Sequence, residues 1–212
     1  MTEPDLTAAL ALTGPDAALK LYRDWAATYD STFAAGMEYN LPAHVARAFL
    51  AAGGQGPVLD VGAGTGLLAQ SLHDMGLTDP VDGLDFSTEM LALAAGKSLY
   101  RDLIHADVTK PLPLARAYNG ITSSGTFTSG HVGPEAFGPM LDIALPNALF
   151  SLSVNQRVWT SMGFDTALKT LAATSRIQNL QLIEVQVYGT AAAAIDPDHA
   201  QDRAWIAQFR AI

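Results

Sequence analysis

The chain has 212 residues, of which 49% are hydrophobic and 16% charged, and it contains no cysteine. This composition predicts one well-buried domain rather than a disordered chain, and it excludes disulfides, thiolate metal sites and a thiol nucleophile. The net charge is -9, with only 12 Lys and Arg residues, which provides no basic surface for binding nucleic acid. Neither a basic leader nor an apolar run long enough to span a membrane is evident. We therefore expect a soluble, cytoplasmic protein without a nucleic-acid or membrane partner.

Residues 1–52 are predicted to form an N-terminal helical cap on a core of residues 53–212, within a single domain. Apolar side chains at positions 18, 21, 22, 25, 26 and 29 have helical spacing. A second helix fits residues 42–52, where Pro42 suits the first helical turn. The glycine-rich segment 53–57 ends that helix.

Strands and helices alternate through the predicted core. We predict strands at residues 58–61, 80–85, 99–105, 118–123, 147–154, 180–188 and 204–211, and helices at residues 67–75, 88–95, 134–144 and 161–174. Ser87 is the expected N-cap of the second of these helices, and residues 124–133 are predicted to be a loop. The alternation predicts an α/β fold, a seven-stranded and mostly parallel sheet with helices on both faces. No helix is evident before the last strand, which is therefore expected to be antiparallel.

Residues 58–66 join a short apolar strand to a helix through a glycine-rich turn. Glycines at 62, 64 and 66 allow positive φ angles and close approach of a ligand, and the following helix directs its N-terminal N–H groups to the same place. A dinucleotide loop requires a third glycine where this chain has Leu67, and Asp60 would repel a pyrophosphate. Because Asp60 would attract an ammonium group, the turn favours a nucleoside with a cationic amino-acid tail over NAD. A tight turn without a ligand is the alternative.

Three motifs resemble those of the class I S-adenosylmethionine-dependent methyltransferases. Residues 58–66 are similar to the first motif, residues 83–87 with Met90 and Leu91 to the second, and residues 106–108 with 111–114 to the third. Residues 124–134 resemble the methyltransferase-like proteins named after the Williams–Beuren syndrome region. The resemblance extends from about residue 25 to the C-terminus. It implies a Rossmann-like class I methyltransferase fold with S-adenosyl-L-methionine as the cofactor.

Residues at the predicted strand ends have roles that agree with this resemblance. Asp85, about 20 residues past the loop, is expected to accept hydrogen bonds from both ribose hydroxyls. Asp107 lies beside the expected adenine position and can accept from its exocyclic amine, while Val108 can contribute its backbone N–H. The predicted cofactor-binding set is Tyr29, Asp60, Gly62, Ala63, Gly64, Asp85, Phe86, Met90, Asp107, Val108 and Ser123.

Several of these residues also have a purely structural interpretation. Asp85 and Asp107 suit a helix cap and a turn, respectively. Phe86 and Met90 suit a hydrophobic core as well as a nucleoside wall. Tyr29 lies at helical spacing from Trp25, which is typical of ordinary packing.

The predicted catalytic residue is His131, in the glycine-flanked loop after strand four. Methyl transfer from a sulfonium mainly requires positioning, and a base is needed only when the acceptor must lose a proton. The unperturbed pKa of histidine suits that role near neutral pH; a loop histidine that only hydrogen-bonds the backbone is the alternative. No metal-ligand spacing is evident.

The sequence thus predicts a methyltransferase that acts on a small-molecule acceptor. Two alternatives stay open: a non-catalytic S-adenosylmethionine-binding or interaction protein on the same fold, and a nicotinamide-dependent oxidoreductase. Asp60 and Leu67 disfavour the last.

Overall fold

The computed structural model describes residues 21, 30, 34–115 and 117–212 of the chain. Its helices are α1 (Leu41–Ala51), α2 (Leu67–Asp74), α3 (Thr88–Gly96), α4 (Phe137–Ile143), α5 (Phe164–Ala173) and α6 (Ala192–Ile195), and a 3₁₀ turn (Pro134–Ala136) precedes α4. Its strands are β1 (Val58–Val61), β2 (Val81–Asp85), β3 (Leu103–His105), β4 (Tyr118–Phe127), β5 (Ala144–Asn155), β6 (Ile177–Gln186) and β7 (Arg203–Ala211).

The strands form one seven-stranded sheet in the order β3-β2-β1-β4-β5-β7-β6. β1 pairs in parallel with both β2 and β4, so that Asp60 lies opposite Gly83 on one side and Thr122 on the other. β7 lies antiparallel between β5 and β6. This topology confirms the predicted Rossmann-like methyltransferase fold, including its antiparallel last strand. The strand order reverses between β1 and β4, where open α/β sheets bind their ligands.

Helices cover both faces of the sheet, which explains why β1 is apolar without alternation. Val58 packs in a cluster with α1 and α2, whereas its neighbour Leu59 packs in a second cluster with α4 and α5. Both side chains are fully buried. A strand buried on both faces reads as a continuous apolar run.

The largest difference from the predicted elements concerns β4, which continues through residues predicted to be loop. The strand reaches Phe127, with a register shift against β5 between Ser123 and Phe127. Gly125 lies in this irregular stretch with a φ of +80°, and its N–H donates to Ser153 Oγ on β5. The Gly, Ser and Thr residues therefore mark a bulged strand end that reaches farther along the site than a loop would.

Other differences are local. β3 begins only at Leu103, and Arg101 before it forms an ion pair with the buried Asp82 on β2. β5 begins at Ala144, three residues before the predicted start at position 147. A four-residue helix, α6, separates β6 from β7, where none was expected. The predicted helix around residues 18–29 lies outside the described residues, apart from residue 21.

Candidate active site

A cavity of about 470 Å³ lies at the carboxyl ends of β1, β2, β3 and β4. Its size is in the range of small-molecule and cofactor sites, roughly 300–1,000 Å³. The parallel strands deliver their C-terminal residues to one edge of the sheet, and this brings distant parts of the sequence together. Among the predicted site residues, those that line it are Gly62, Ala63, Gly64, Asp85, Phe86, Met90, Asp107, Val108 and His131.

The glycine turn between β1 and α2 presents bare backbone to this cavity. Gly62 has a φ of +69°, and a Cβ there would lie 2.0 Å from Thr126 Oγ1 of β4. The N–H groups of Gly62 and Ala63 donate to Leu84 O of β2, at 2.8 and 3.0 Å. The turn is therefore held between two strands, and only glycine fits at position 62.

Asp85 connects the glycine turn to the N-terminus of α3. Its Oδ2 accepts from Gly64 N at 2.8 Å, and its Oδ1 accepts from Ser87 N at 2.8 Å. Burial raises the pKa of Asp85, and these backbone donors partly offset that effect. A carboxylate oxygen accepts more than one hydrogen bond, so Asp85 can hold a vicinal diol while it fixes the turn. The helix cap itself is Ser87, whose Oγ accepts from Met90 N at 3.2 Å.

The β3 side of the cavity has one oriented carboxylate and an open aromatic face. Asp107 Oδ1 accepts from both N and Oγ1 of Thr109, at 2.9 and 2.7 Å. Phe86 is 39% exposed although it is a large apolar residue. Its carbonyl oxygen lies 3.0 Å from His105 Nε2, and the two rings stack at a centroid distance of 6.2 Å. An exposed ring of fixed position beside an oriented carboxylate suits a stacked, hydrogen-bonded base.

His131 lines the β4 side of the cavity in a defined tautomer. Its Nδ1 lies 2.7 Å from the Ser129 carbonyl oxygen. Because a carbonyl oxygen only accepts, Nδ1 carries the hydrogen and the lone pair of the neutral ring is on Nε2. Burial lowers the pKa of His131 below its ordinary value, although the bond to Ser129 opposes this effect. At neutral pH the ring is therefore neutral and able to take a proton.

The structure does not place Asp60 at the cavity wall, where the sequence predicted it. Its side chain is 1% exposed and accepts a 2.8 Å hydrogen bond from Tyr100 Oη. Burial raises the pKa of Asp60 to about 7, the Tyr100 bond opposes this, and the nearby Asp85 charge adds to it. Asp60 shares the sheet face of Val58, since alternate residues of a strand point to the same face. It therefore lies behind the glycine turn.

Ser123 is the second predicted residue that does not line the cavity. It is fully buried, and its Oγ donates to Val61 O at 2.7 Å, which ties β4 to the start of the turn. Its role in the structure is to support the turn, because the strand bulge brings the following residues to the edge instead. Tyr29 lies outside the described residues.

The lining residues outside the predicted set include Tyr39, Thr126 and Glu135. Tyr39 reaches the cavity through an antiparallel bridge to Tyr188, and a Cβ on Gly125 would lie 2.4 Å from its Oη. Burial raises the pKa of Tyr39 to about 12, so its phenol is neutral at physiological pH. Glu135, in the 3₁₀ turn, is exposed at the cavity rim and accepts from Gly133 N at 3.0 Å.

The charge of the cavity has one sign within the described part of the chain. Its described lining contains three carboxylates, Asp85, Asp107 and Glu135, and neither Lys nor Arg. No group of three or more potential metal ligands occurs among residues 21, 30, 34–115 and 117–212. None of the helices in the described part of the chain combines the length and apolar character needed to cross a bilayer.

A family model described as a methyltransferase domain matches residues 58–142, from β1 to α4. No curated protein matches the chain. This segment is thus similar to a methyltransferase domain, which confirms the enzyme class and the cofactor, S-adenosylmethionine, that the sequence motifs predicted.

Several solved structures share the fold. The N-methyltransferase NodS from Bradyrhizobium japonicum WM9, in complex with S-adenosylhomocysteine, is 16% identical with a TM-score of 0.56, over 80% of this chain and 85% of that one. Magnesium protoporphyrin IX methyltransferase from Synechocystis PCC 6803, with bound S-adenosylmethionine, is 15% identical with a TM-score of 0.56, over 81% and 78%. Phosphoethanolamine N-methyltransferase 2 from Haemonchus contortus is 12% identical with a TM-score of 0.64, over 91% and 58%. At these identities the likeness concerns the fold.

Proposed function

We propose that this methyltransferase transfers a methyl group from S-adenosylmethionine to a small-molecule acceptor. The observation that carries the proposal is the position of Asp85 inside the cavity. Its carboxylate bonds both Gly64 of the glycine turn and Ser87 at the start of α3, and the exposed ring of Phe86 follows it directly. This arrangement supports a nucleoside bound across the ends of β1, β2 and β3.

Each part of the cofactor has a counterpart in the described residues. Asp85 accepts the ribose hydroxyls, and Asp107 with Val108 faces the adenine edge between the apolar side chains of Phe86 and Met90. The backbone at residues 62–64 faces the methionine tail, and Asp60 attracts its ammonium group from behind the turn when the carboxyl is ionised. When bound, the cofactor supplies a methyl group already activated by the sulfonium.

The acceptor is expected on the β4 side of the cavity. His131 orients its neutral Nε2 through the bond from Nδ1 to Ser129, and it removes a proton when the acceptor requires it. A cavity of about 470 Å³ and a net charge of -9 support a small molecule rather than a nucleic acid.

Three finer proposals rest on the sequence. Residues 124–134 support a relationship to the Williams–Beuren syndrome region proteins. The alternation that begins after residue 53 supports a single domain with an N-terminal cap. The composition supports a cytoplasmic location.

Methyl transfer can be tested by incubating the full chain with S-adenosylmethionine and a broad panel of hydroxyl, amine and thiol compounds. We expect S-adenosylhomocysteine to accumulate with at least one acceptor, and to be lost in Asp85→Ala. Asp102→Ala is a matched control, because its side chain is 72% exposed and does not line the cavity. Tight cofactor binding without product across the whole panel would favour the non-catalytic alternative.

A further inference from the structure

The charges and hydrogen-bonding groups of the acceptor side indicate what kind of acceptor it suits. Asp85 and Asp107 are assigned to the ribose and the adenine, which leaves Glu135 as the third carboxylate of the described lining. An anionic acceptor would find no described Lys or Arg there to pair with. A cationic acceptor would find the Glu135 carboxylate at the rim, and the two opposite charges would pair on binding.

The order of the strands places these groups at the point of methyl transfer. If adenine lies at β3, ribose at β2 and the methionine tail at β1, the next strand in the sheet, β4, faces the reacting end of the cofactor. The residues that line the cavity and can present a side-chain acceptor at this end include His131, Glu135 and Tyr39, the last held against Gly125 at the bulged end of β4. All three side chains can accept a hydrogen bond: the histidine at Nε2, the carboxylate at its oxygens and the phenol at Oη.

We propose that this end of the cavity binds a cationic primary or secondary amine as the methyl acceptor, with Glu135 and Tyr39 as positioning residues that select it. The proposal rests on the proposed function. An ammonium group offers two or three N–H donors, which suits a cavity end with several acceptor side chains better than a hydroxyl with its single hydrogen does. The rim carboxylate then provides the charge that draws the amine in.

The reaction balances with the groups present. The ammonium gives one proton to Nε2 of His131, which becomes an imidazolium and later releases that proton to solvent. The nitrogen lone pair forms the new C–N bond as the bond from carbon to sulfur breaks, and that electron pair stays on sulfur. The products are a methylated ammonium, neutral S-adenosylhomocysteine and one proton.

A cofactor analogue tests this without knowledge of the acceptor. Sinefungin has a primary ammonium on carbon where the cofactor has its methyl sulfonium, and S-adenosylhomocysteine has nothing at that place. We would measure the dissociation constants of both by titration calorimetry for the full chain, for Glu135→Gln and for Tyr39→Phe. Asp142→Asn is the charge-matched control, since its side chain is 75% exposed on α4.

The full chain is expected to bind sinefungin about tenfold or more tightly than S-adenosylhomocysteine. Glu135→Gln is expected to lower that preference about two- to fivefold, as for a partly exposed charge pair, and Tyr39→Phe about two- to tenfold. Neither variant is expected to change S-adenosylhomocysteine binding more than about twofold, and Asp142→Asn leaves both constants unchanged.

Three results would overturn the proposal: equal affinities in the unmodified chain, a preference that survives both substitutions, or a preference that only Tyr39→Phe reduces. The last would leave a polar acceptor site without selection for charge. Failure of both ligands to bind the unmodified chain would instead contradict the proposed function.

Discussion

Replacing Asp60 by Asn is expected to stabilise the protein above neutral pH. The carboxylate is 1% exposed, and burial raises its pKa from 3.8 to about 7. Each pKa unit is worth about 1.4 kcal/mol, so keeping the charged form buried costs the folded state up to about 4 kcal/mol. The asparagine amide has no charge to desolvate, and its oxygen can still accept the hydrogen bond from Tyr100.

The sign of the pH dependence follows from proton linkage. Between pH 3.8 and about 7 the folded state holds a proton on Asp60 that the unfolded state has lost, so stability falls as the pH rises through this window. From pH 5.5 to 7.5 the loss amounts to about 2 kcal/mol. Asp60→Asn lacks this contribution, and its stability advantage over the unmodified chain should grow by that amount.

Urea unfolding of the full chain and the variant at pH 5.5, 6.5, 7.5 and 8.5 measures this difference. Contributions from titrating groups that do not interact with Asp60 cancel when the two free energies of unfolding are subtracted at each pH. Asp142→Asn, which removes an exposed carboxylate, should show no such growth. A difference that stays constant with pH, or that the control reproduces, would refute the interpretation of Asp60 as a buried carboxyl that titrates near neutrality.

Three further substitutions separate binding, catalysis and folding. Gly62→Ala should weaken S-adenosylhomocysteine binding more than about tenfold and lower the free energy of unfolding by about 1–3 kcal/mol, because its Cβ would meet Thr126 Oγ1 at 2.0 Å. Calorimetry measures the binding and urea unfolding the stability. Gly138→Ala is the control, because a Cβ there would have nothing within 4 Å. His131→Ala should reduce turnover of an identified acceptor by about 10²- to 10⁴-fold with an unchanged S-adenosylhomocysteine dissociation constant, whereas full activity would leave it a structural loop residue. Phe86→Ala should change the free energy of unfolding by less than about 1 kcal/mol, since the ring is 39% exposed, yet lower cofactor affinity about three- to tenfold; equal losses in both would contradict its role as a nucleoside wall.

The parts of the site that depend on local sequence were predictable. The glycine turn follows from three glycines after an apolar strand. Ser87 caps α3, as expected of a serine that directly precedes a helical segment. Asp85 and Asp107 were found because strand ends of a parallel sheet meet at one edge. For the glycine turn and the Ser87 cap, the residue and its structural reason lie within a few positions of each other.

The parts that depend on tertiary contacts were not predictable. Tyr39 belongs to the site only because it pairs with Tyr188, far along the chain. Asp60 lies behind the turn because the pleat of β1 points its side chain at Tyr100. The sequence does not show which face of the sheet α2 and α3 will cover. The strand extension to Phe127 required knowledge of the bulge against β5. Gly125 was a visible signal, but a glycine in a polar stretch predicts a loop as readily as a bulge.

The central claim, that the cavity binds S-adenosylmethionine through Asp85, is tested most directly by titration calorimetry. The full chain is expected to bind S-adenosylmethionine and S-adenosylhomocysteine with micromolar affinity, Asp85→Ala to lose most of that binding, and Asp102→Ala to retain it. Absence of heat with both ligands, or an unchanged affinity in Asp85→Ala, would contradict the claim.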